Sequence, residues 1–215
     1  MRKAPGKREP PPTGGGRERF DLTGGDLCLD FVNTVTKRPT DNSEELLGSY
    51  EDLLAWALEA GAVPARKAAE LRRQSRQDPA AASAALDRAR ALREAMFAVL
   101  SAASAGRPAE DGALDHLNTW LRVSSARLCL ASRGRGYGWD WEADHQSFDQ
   151  VLWPVVRSAG ELLTSERLGR LKECAAERCA WLFLDHSKNG SRRWCDMAIC
   201  GNRAKAKRHR AAAQA

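Results

Sequence analysis

Over most of the chain, apolar residues recur three or four positions apart, the spacing of an amphipathic helix. Three segments begin at N-terminal helix signals: a Ser-x-x-Asp capping box, a proline, and an Asp-Pro pair. These signals and the periodicity predict helices over residues 49–60, 64–77, 79–106 and 111–121. The third is long and carries an apolar stripe that Arg93 borders. The pattern therefore predicts a helical body.

Residues 20–35 have an ambiguous pattern, FDLTGGDLCLDFVNTV. Leucines alternate as in a strand, but Cys28, Phe31 and Val32 also fit one helical face, and we favour a helix with Asp26 as its N-cap. Asp30 and Asn33 are polar residues among apolar ones. They could be structural hydrogen-bonding groups, or they could form a ligand site with Arg93.

Residues 127–142 alternate in two runs around the turn Arg-Gly-Arg-Gly, which predicts a β-hairpin. Trp139 and Trp141 share one face of it. A two-stranded sheet is marginal alone, so we expect the hairpin to pack on the helices; the alternative is an aromatic stacking surface. A helix around Pro154 follows, and a last helix, capped by Ser165, is expected to run directly into Cys174.

Four cysteines near the C-terminus form two C-x4-C pairs separated by fifteen residues. Each close pair can supply two thiolates from a tight loop, so the spacing predicts one structural, tetrahedral zinc ion. The predicted ligands are Cys174, Cys179, Cys195 and Cys200. Between the pairs we expect strands at residues 181–185 and 192–195, joined by an Asn-Gly turn. A helix capped by Asn202 completes a treble-clef-like order.

Charge is unevenly distributed along the 215 residues, whose net charge is +6. Residues 186–215 hold eight lysines and arginines against one aspartate, a net charge of +7. A basic end on a mildly acidic body is typical of a nucleic-acid-binding module, and a solubilising tail is the alternative. The sequence contains no run of eighteen apolar residues, so no membrane span is predicted. It also shows no secretory signal. We therefore expect a cytoplasmic protein whose cysteines stay reduced.

The segment with the four cysteines, which we call the finger, resembles a domain of a known family. The motif C-x4-C-x-W-L-F-L-D, followed by S-R-R-W-C-x-M-x-x-C-G-N-R-x-K, is similar to the CGNR zinc finger, named for the residues at 200–203. Upstream, GGDLCLDFVNT, ARALREA and LWPVVRSA are similar to the ABATE domain that accompanies it. The resemblance implies a bacterial stress-response protein of the transcription regulator class, with a helical N-terminal domain and a DNA-binding finger.

Together these features predict a mainly α fold with a small β-hairpin (α+β): a helical N-terminal domain plus a C-terminal treble-clef-like zinc finger. We expect a disordered basic leader over residues 1–19, an ABATE-like domain over 20–165 and the finger with its basic helix over 166–215. The residues predicted to bind nucleic acid are Lys188, Arg192, Arg193, Arg203, Lys205, Lys207, Arg208 and Arg210.

The predicted function is transcriptional regulation through DNA binding, with the body as a small-molecule sensor or a homodimerisation module. The alternative is a zinc-dependent RNA-binding or protein-interaction module, in which Trp181 and Trp194 could grip single-stranded RNA. We expect that the protein is not an enzyme, because four cysteine ligands leave no open coordination position on the zinc ion. The adjacent residues Asp185, His186 and Ser187 cannot adopt the geometry of a catalytic triad.

Overall fold

The computed structural model describes residues 19–142 and 147–212, and within them the chain is mainly helical. The predicted leader lies outside these residues, except for Arg19. The helices are α1 Leu27–Val32, α2 Tyr50–Glu59, α3 Ala65–Gln77, α4 Pro79–Ser104, α5 Asp111–Ser125, α6 Trp153–Leu163 and α7 Asn202–Ala212. The strands form antiparallel pairs: β1 Val35–Thr36 with β2 Glu44–Glu45, β3 Leu128–Arg133 with β4 Gly136–Trp141, and β5 Leu171–Glu173 with β6 Leu182–Leu184.

The short helix α1 lies at the centre of the core. All six of its residues are buried, and it packs against α4, α6 and β6. Residues 27–32, whose alternating leucines could also have indicated a strand, are helical as favoured, whereas Val35 at the end of the same stretch lies in β1. The apolar positions of α1 are buried on every side, so they do not follow the one-sided pattern of a surface helix. The helical body and the finger therefore share this element.

Local capping explains where several helices begin. Ser49 and Asp52 bond each other's backbone amides at 3.2 and 2.8 Å, which confirms the capping box of α2. Asp78 accepts a bond from the Ala81 amide and starts α4. Asp26 occupies the N-cap position of α1 but makes no capping bond, because its carboxylate instead accepts bonds from Ser158 and Arg167. The predicted N-cap position of Asp26 is therefore confirmed, but without the side-chain capping bond that the prediction assumed.

The β3–β4 hairpin has the predicted pairing, with Leu130 opposite Trp139 and Leu128 opposite Trp141. Both tryptophans of the aromatic face contact α6: Trp141 lies beside Trp153, with ring centroids 5.6 Å apart, and the Arg157 guanidinium lies over the Trp139 ring at 4.9 Å. Trp139 nevertheless remains 54% exposed. The hairpin thus packs on the helices as expected, more completely at its base than toward its tip.

The last helix predicted for the body is not formed. Residues Glu166–Arg170 make a 3₁₀ turn, after which the chain extends as β5. Ser165 does not cap this turn, since its hydroxyl donates back to the Leu162 carbonyl oxygen. Leu171 reaches the core as part of a strand, where a helix was expected.

Two local predictions for the finger are also wrong. β6 pairs with β5 and not with residues 192–195, because Lys172 of β5 binds the Asp185 carboxylate next to β6 and the carbonyl oxygens of the following turn. Asn202 does not cap α7. Asp196 accepts a bond from the Ile199 amide at 2.6 Å and starts a π-helical turn, Met197–Gly201, that leads into α7.

Among the described residues, no helix combines the length and the apolar character needed to cross a membrane.

Candidate metal centre and nucleic-acid interface

The four cysteine sulfurs lie within 4.8 Å of one another, and all four residues are buried. The Sγ atoms of Cys179 and Cys195 are 3.5 Å apart, and those of Cys195 and Cys200 are 3.7 Å apart. A tetrahedral zinc with bonds of about 2.3 Å places its sulfur ligands about 3.8 Å apart. The cluster therefore fits one zinc ion, with Cys174 as the fourth ligand.

Backbone hydrogen bonds hold the two ligand loops in position. The Cys174 amide bonds the Trp181 carbonyl oxygen at 2.8 Å, and the Cys179 amide bonds that of Ala176 at 3.0 Å. In the second loop, the Cys200 amide bonds the Asp196 carbonyl oxygen at 3.0 Å. The two cysteine pairs are distant from each other in the sequence, and these backbone bonds direct the sulfurs of both pairs toward one point without any metal–ligand bond.

The cluster resists the full ionisation that zinc binding requires. Hydrogen bonds from Cys179 and Cys195 lower the pKa of Cys174, whereas hydrogen bonding with Cys174 raises the pKa of both Cys179 and Cys195. One thiolate is therefore favoured and further thiolates are opposed. A divalent cation among the four sulfurs removes this opposition, which is why thiolate clusters of this kind bind zinc.

Aromatic and cationic groups cover the cluster. Phe183 is fully buried against the cysteines, and Trp181 and Trp194 pack beside it. Arg192 lies over the Phe183 ring at 4.5 Å and donates to the carbonyl oxygens of Trp194 and Cys195. Arg192, predicted to bind nucleic acid, thus uses its guanidinium inside the finger.

Most of the other predicted nucleic-acid-binding residues surround a groove of about 570 Å³ between α7 and the first ligand loop. Among the described residues, seven basic side chains line it, with Glu177 as the one acidic residue. The basic lining consists of Lys37, Arg178, Arg193, Arg203, Lys207, Arg208 and Arg210. Glu177 binds Lys207 with an oxygen–nitrogen distance of 2.7 Å.

Besides Arg192, two predicted residues lie apart from this groove lining. Lys205 is an exposed residue of α7. Lys188 is exposed in the turn before Gly190, whose φ of +58° is the left-handed conformation that an Asn-Gly turn favours. The structure brings the other five predicted residues together around one groove.

Sequence reasoning missed Lys37, Arg178 and Glu177. Arg178 and Glu177 lie between the first two cysteine ligands, and that position could have indicated that they lie near the basic helix. Lys37 lies next to β1 and pairs with Glu44. Nothing in the local sequence indicated that this part of the body would lie beside α7.

The three residues of the predicted ligand site bond to the protein itself. Asp30 accepts the Gly24 amide at 2.9 Å, and Asn33 bonds both backbone groups of Leu182. Arg93, 3% exposed, forms two bonds of 2.7 and 2.6 Å to the Glu45 carboxylate. These contacts support the structural interpretation of the three residues.

Two family models match the sequence over adjoining ranges. The ABATE model, described as a putative stress-induced transcription regulator, matches residues 25–166. The CGNR zinc finger model matches residues 170–213. No curated protein matches the sequence significantly.

Proposed function

We propose that this chain, which belongs to the ABATE family of stress-induced transcription regulators and carries a CGNR zinc finger, binds DNA through the basic surface of that finger. The observation that carries the proposal is the groove beside α7, where seven basic side chains face one carboxylate. A surface with this charge attracts the phosphate backbone and releases its counterions on binding. The zinc ion would act structurally, since four cysteines fill its coordination shell.

The finger contacts α7 at the turn that precedes it and through the ion pair between Lys207 and Glu177. The π-helical turn Met197–Gly201 carries Cys200 into the cluster, and α7 continues from it with no buried residue. The basic side chains are therefore available to a partner along the helix. The zinc ligands hold the first turn and so fix the direction in which α7 projects.

The test is DNA binding by a chain in which Arg203→Ala and Lys207→Ala are combined. Both side chains line the groove, so we expect weaker binding and a salt dependence whose logarithmic slope falls by about one per residue removed. Fluorescence anisotropy with a duplex over a series of salt concentrations measures both quantities.

The matched control combines Arg66→Ala and Arg73→Ala, two exposed arginines of α3 in the body. It removes the same net charge from a different surface. If both double variants change DNA affinity equally, the effect comes from net charge alone and the assignment of α7 is wrong.

We also propose that the body controls the finger, either by sensing a small molecule or by forming a homodimer. The bonds between α1 and β6 support this coupling, because a shift of α1 must move the finger. The proposal places the protein in the cytoplasm, where cysteines stay reduced, and assigns it no enzymatic activity. Competition of single-stranded RNA with duplex DNA and with single-stranded DNA of the same sequence tests the alternative of an RNA-binding module, and preference for the RNA over both DNA forms favours that alternative.

A further inference from the structure

The groove beside α7 is not lined by charge alone. Its lining also includes small apolar side chains and one indole: Ala175, Ala176, Trp194 and Ala204. Ala175 and Ala176 come from the first ligand loop, and Ala204 comes from the first turn of α7. Together with Trp194 they form what we call the apolar floor, and the seven basic side chains form the rim.

A phosphate backbone by itself needs the rim but not the floor. Phosphates are bound by cations and backbone amides, and they gain nothing from alanine and indole surfaces. A group that combines an apolar, flat body with anionic neighbours uses both parts. Among the components of nucleic acids, an unpaired nucleotide has this character, since its base is free to stack while its phosphates stay charged.

We propose that the groove takes one unpaired nucleotide of a single-stranded nucleic acid, with the base against the apolar floor and the flanking phosphates on the rim. This inference rests on the proposed nucleic-acid-binding function and specifies which form of nucleic acid the site prefers. The volume of about 570 Å³ lies within the range typical of sites that enclose small organic groups.

Arg193 and Trp194 provide the stacking chemistry. The Arg193 guanidinium lies over the Trp194 ring at 5.4 Å, and both groups line the groove. Guanidinium planes and indoles are both surfaces on which unpaired bases stack. Trp181 is committed elsewhere, because its indole nitrogen donates to the Val35 carbonyl oxygen of the body at 3.0 Å.

The spread of the rim favours a strand over a free nucleotide. The basic side chains come from the body at Lys37, from the ligand loop at Arg178 and from α7 between Arg203 and Arg210. Those last two residues are about 10 Å apart along the helix axis, at about 1.5 Å per residue. A free nucleotide has its phosphates at one end, whereas a strand has phosphates on both sides of each base.

The first experiment compares a 12-nucleotide single-stranded DNA with the duplex of the same sequence, using the full chain loaded with zinc. We expect the single strand to bind at least about fivefold more tightly, the lower limit for stacking one base. ATP, as a free nucleotide, is expected to bind more weakly than the strand. Equal or tighter binding of the duplex overturns the inference, and so does binding of ATP as tight as that of the strand.

The second experiment compares two leucine substitutions on α7. Ala204→Leu fills the groove without changing charge, whereas Ala206→Leu makes the same change at an exposed position outside the groove lining. We expect Ala204→Leu to weaken single-strand binding at least about fivefold, and to weaken it by a larger factor than it weakens duplex binding, because only the unpaired base needs the apolar floor. Ala206→Leu is expected to match the unmodified protein. Equal single-strand affinity of the two variants overturns the inference.

Zinc content and helical circular dichroism show whether Ala204→Leu has kept its fold. If it has not, Ala175→Leu fills the groove from the exposed side of the ligand loop and is judged by the same criteria.

Different results would contradict the proposed function and the assignment of the groove. Absence of binding to both DNA forms contradicts the proposed function, whereas duplex binding without single-strand preference contradicts only the assignment of the groove.

Discussion

A single amide side chain, Asn33, joins the helical body to the finger. Its Nδ2 donates to the Leu182 carbonyl oxygen and its Oδ1 accepts from the Leu182 amide, both at 2.9 Å. Asn33 is the C-cap residue of α1 and is buried, as is Leu182. The side chain thus satisfies the backbone amide and carbonyl oxygen of Leu182, which point away from β5.

Replacing Asn33 by alanine should therefore destabilise the whole chain. Two buried backbone groups lose their partners, at about 1–3 kcal/mol each, so we expect a loss of about 2–6 kcal/mol. Urea unfolding of the zinc-loaded protein measures it. Asn42→Ala, at an exposed position, should change stability by less than about 0.5 kcal/mol. Equal effects of the two substitutions would show that Asn33 does not carry the junction.

Arg93 is the second residue whose surroundings define its role. Its guanidinium is buried and forms a bidentate ion pair with Glu45, whose side chain is 32% exposed. Partial burial acts to raise the pKa of Glu45, but the bonds from Arg93 and from the Leu47 amide outweigh it, so the pKa is lowered. The pair fixes β2 against α4.

Glu45→Gln should leave the Arg93 charge buried without its main counterion and destabilise the protein by about 2 kcal/mol at pH 7. Because the pKa of Glu45 is lowered on folding, its stabilisation is fully present above the unfolded pKa of about 4.3 and is lost as pH falls through the folded pKa. We therefore expect the difference between the two proteins to narrow below about pH 4.3. Urea unfolding over a pH series measures it, and a difference that widens on acidification contradicts the assignment.

At the scale of elements, α7 depends on the metal more than on its own contacts. It has no buried residue, and eleven residues are too few for a stable isolated helix in water. Asp196 caps the turn that precedes it, and Cys200 ties that turn to the other three ligands. The basic surface therefore exists in a defined position only while the cluster holds its ion.

Cys195→Ser should abolish this arrangement. A serine hydroxyl is a poor zinc ligand, so we expect metal content to fall from one zinc per chain to nearly none, with loss of helical signal and of DNA binding. Cys129→Ser is the control, since Cys129 lies in β3 outside the cluster. Metal analysis and circular dichroism give the result, and a Cys195→Ser protein that retains a full equivalent of zinc would exclude the four-cysteine site.

In the whole molecule, the first two strands of the finger region contribute to the hydrophobic core of the body, whereas Phe183 and the four cysteines form a second buried cluster. Leu171, Leu182 and Leu184 belong to strands of the finger region, yet they are buried with the residues of the helical body. The Leu184 amide bonds the Gly24 carbonyl oxygen at 2.8 Å. A boundary drawn near residue 166 therefore cuts through packed structure.

An isolated fragment of residues 166–215 should bind zinc but lack the protection that the body provides. The amides of Leu182 and Leu184 bond to Asn33 and Gly24, so in the fragment both are left to solvent. We expect their hydrogen exchange to be at least about a hundredfold faster than in the full chain, as loss of a structural bond permits local exchange. Equal protection in both would mean that the finger folds independently of the body.

Features that depend on short spacing could be predicted from the amino-acid sequence alone. The paired C-x4-C motifs defined the ligand set, the capping residues defined where α2 and α4 begin, and the alternation at residues 127–142 defined the hairpin. Each of these rests on interactions between residues close in the chain, so local pattern was sufficient.

Contacts between segments that are distant in the sequence could be read from the folded chain but not from local patterns. β6 has two candidate neighbours in the sequence, and the choice of β5 follows from the Lys172–Asp185 pair and from burial of Leu171 against the body. The sequence allowed Asn33 either to bind a ligand or to bond to the protein. In the fold its side chain bonds to the backbone amide and carbonyl oxygen of Leu182. Lys37 joined the rim because the folded body lies beside the finger. Such outcomes depend on satisfying buried polar groups and filling the core across the whole chain, and no local pattern records that competition.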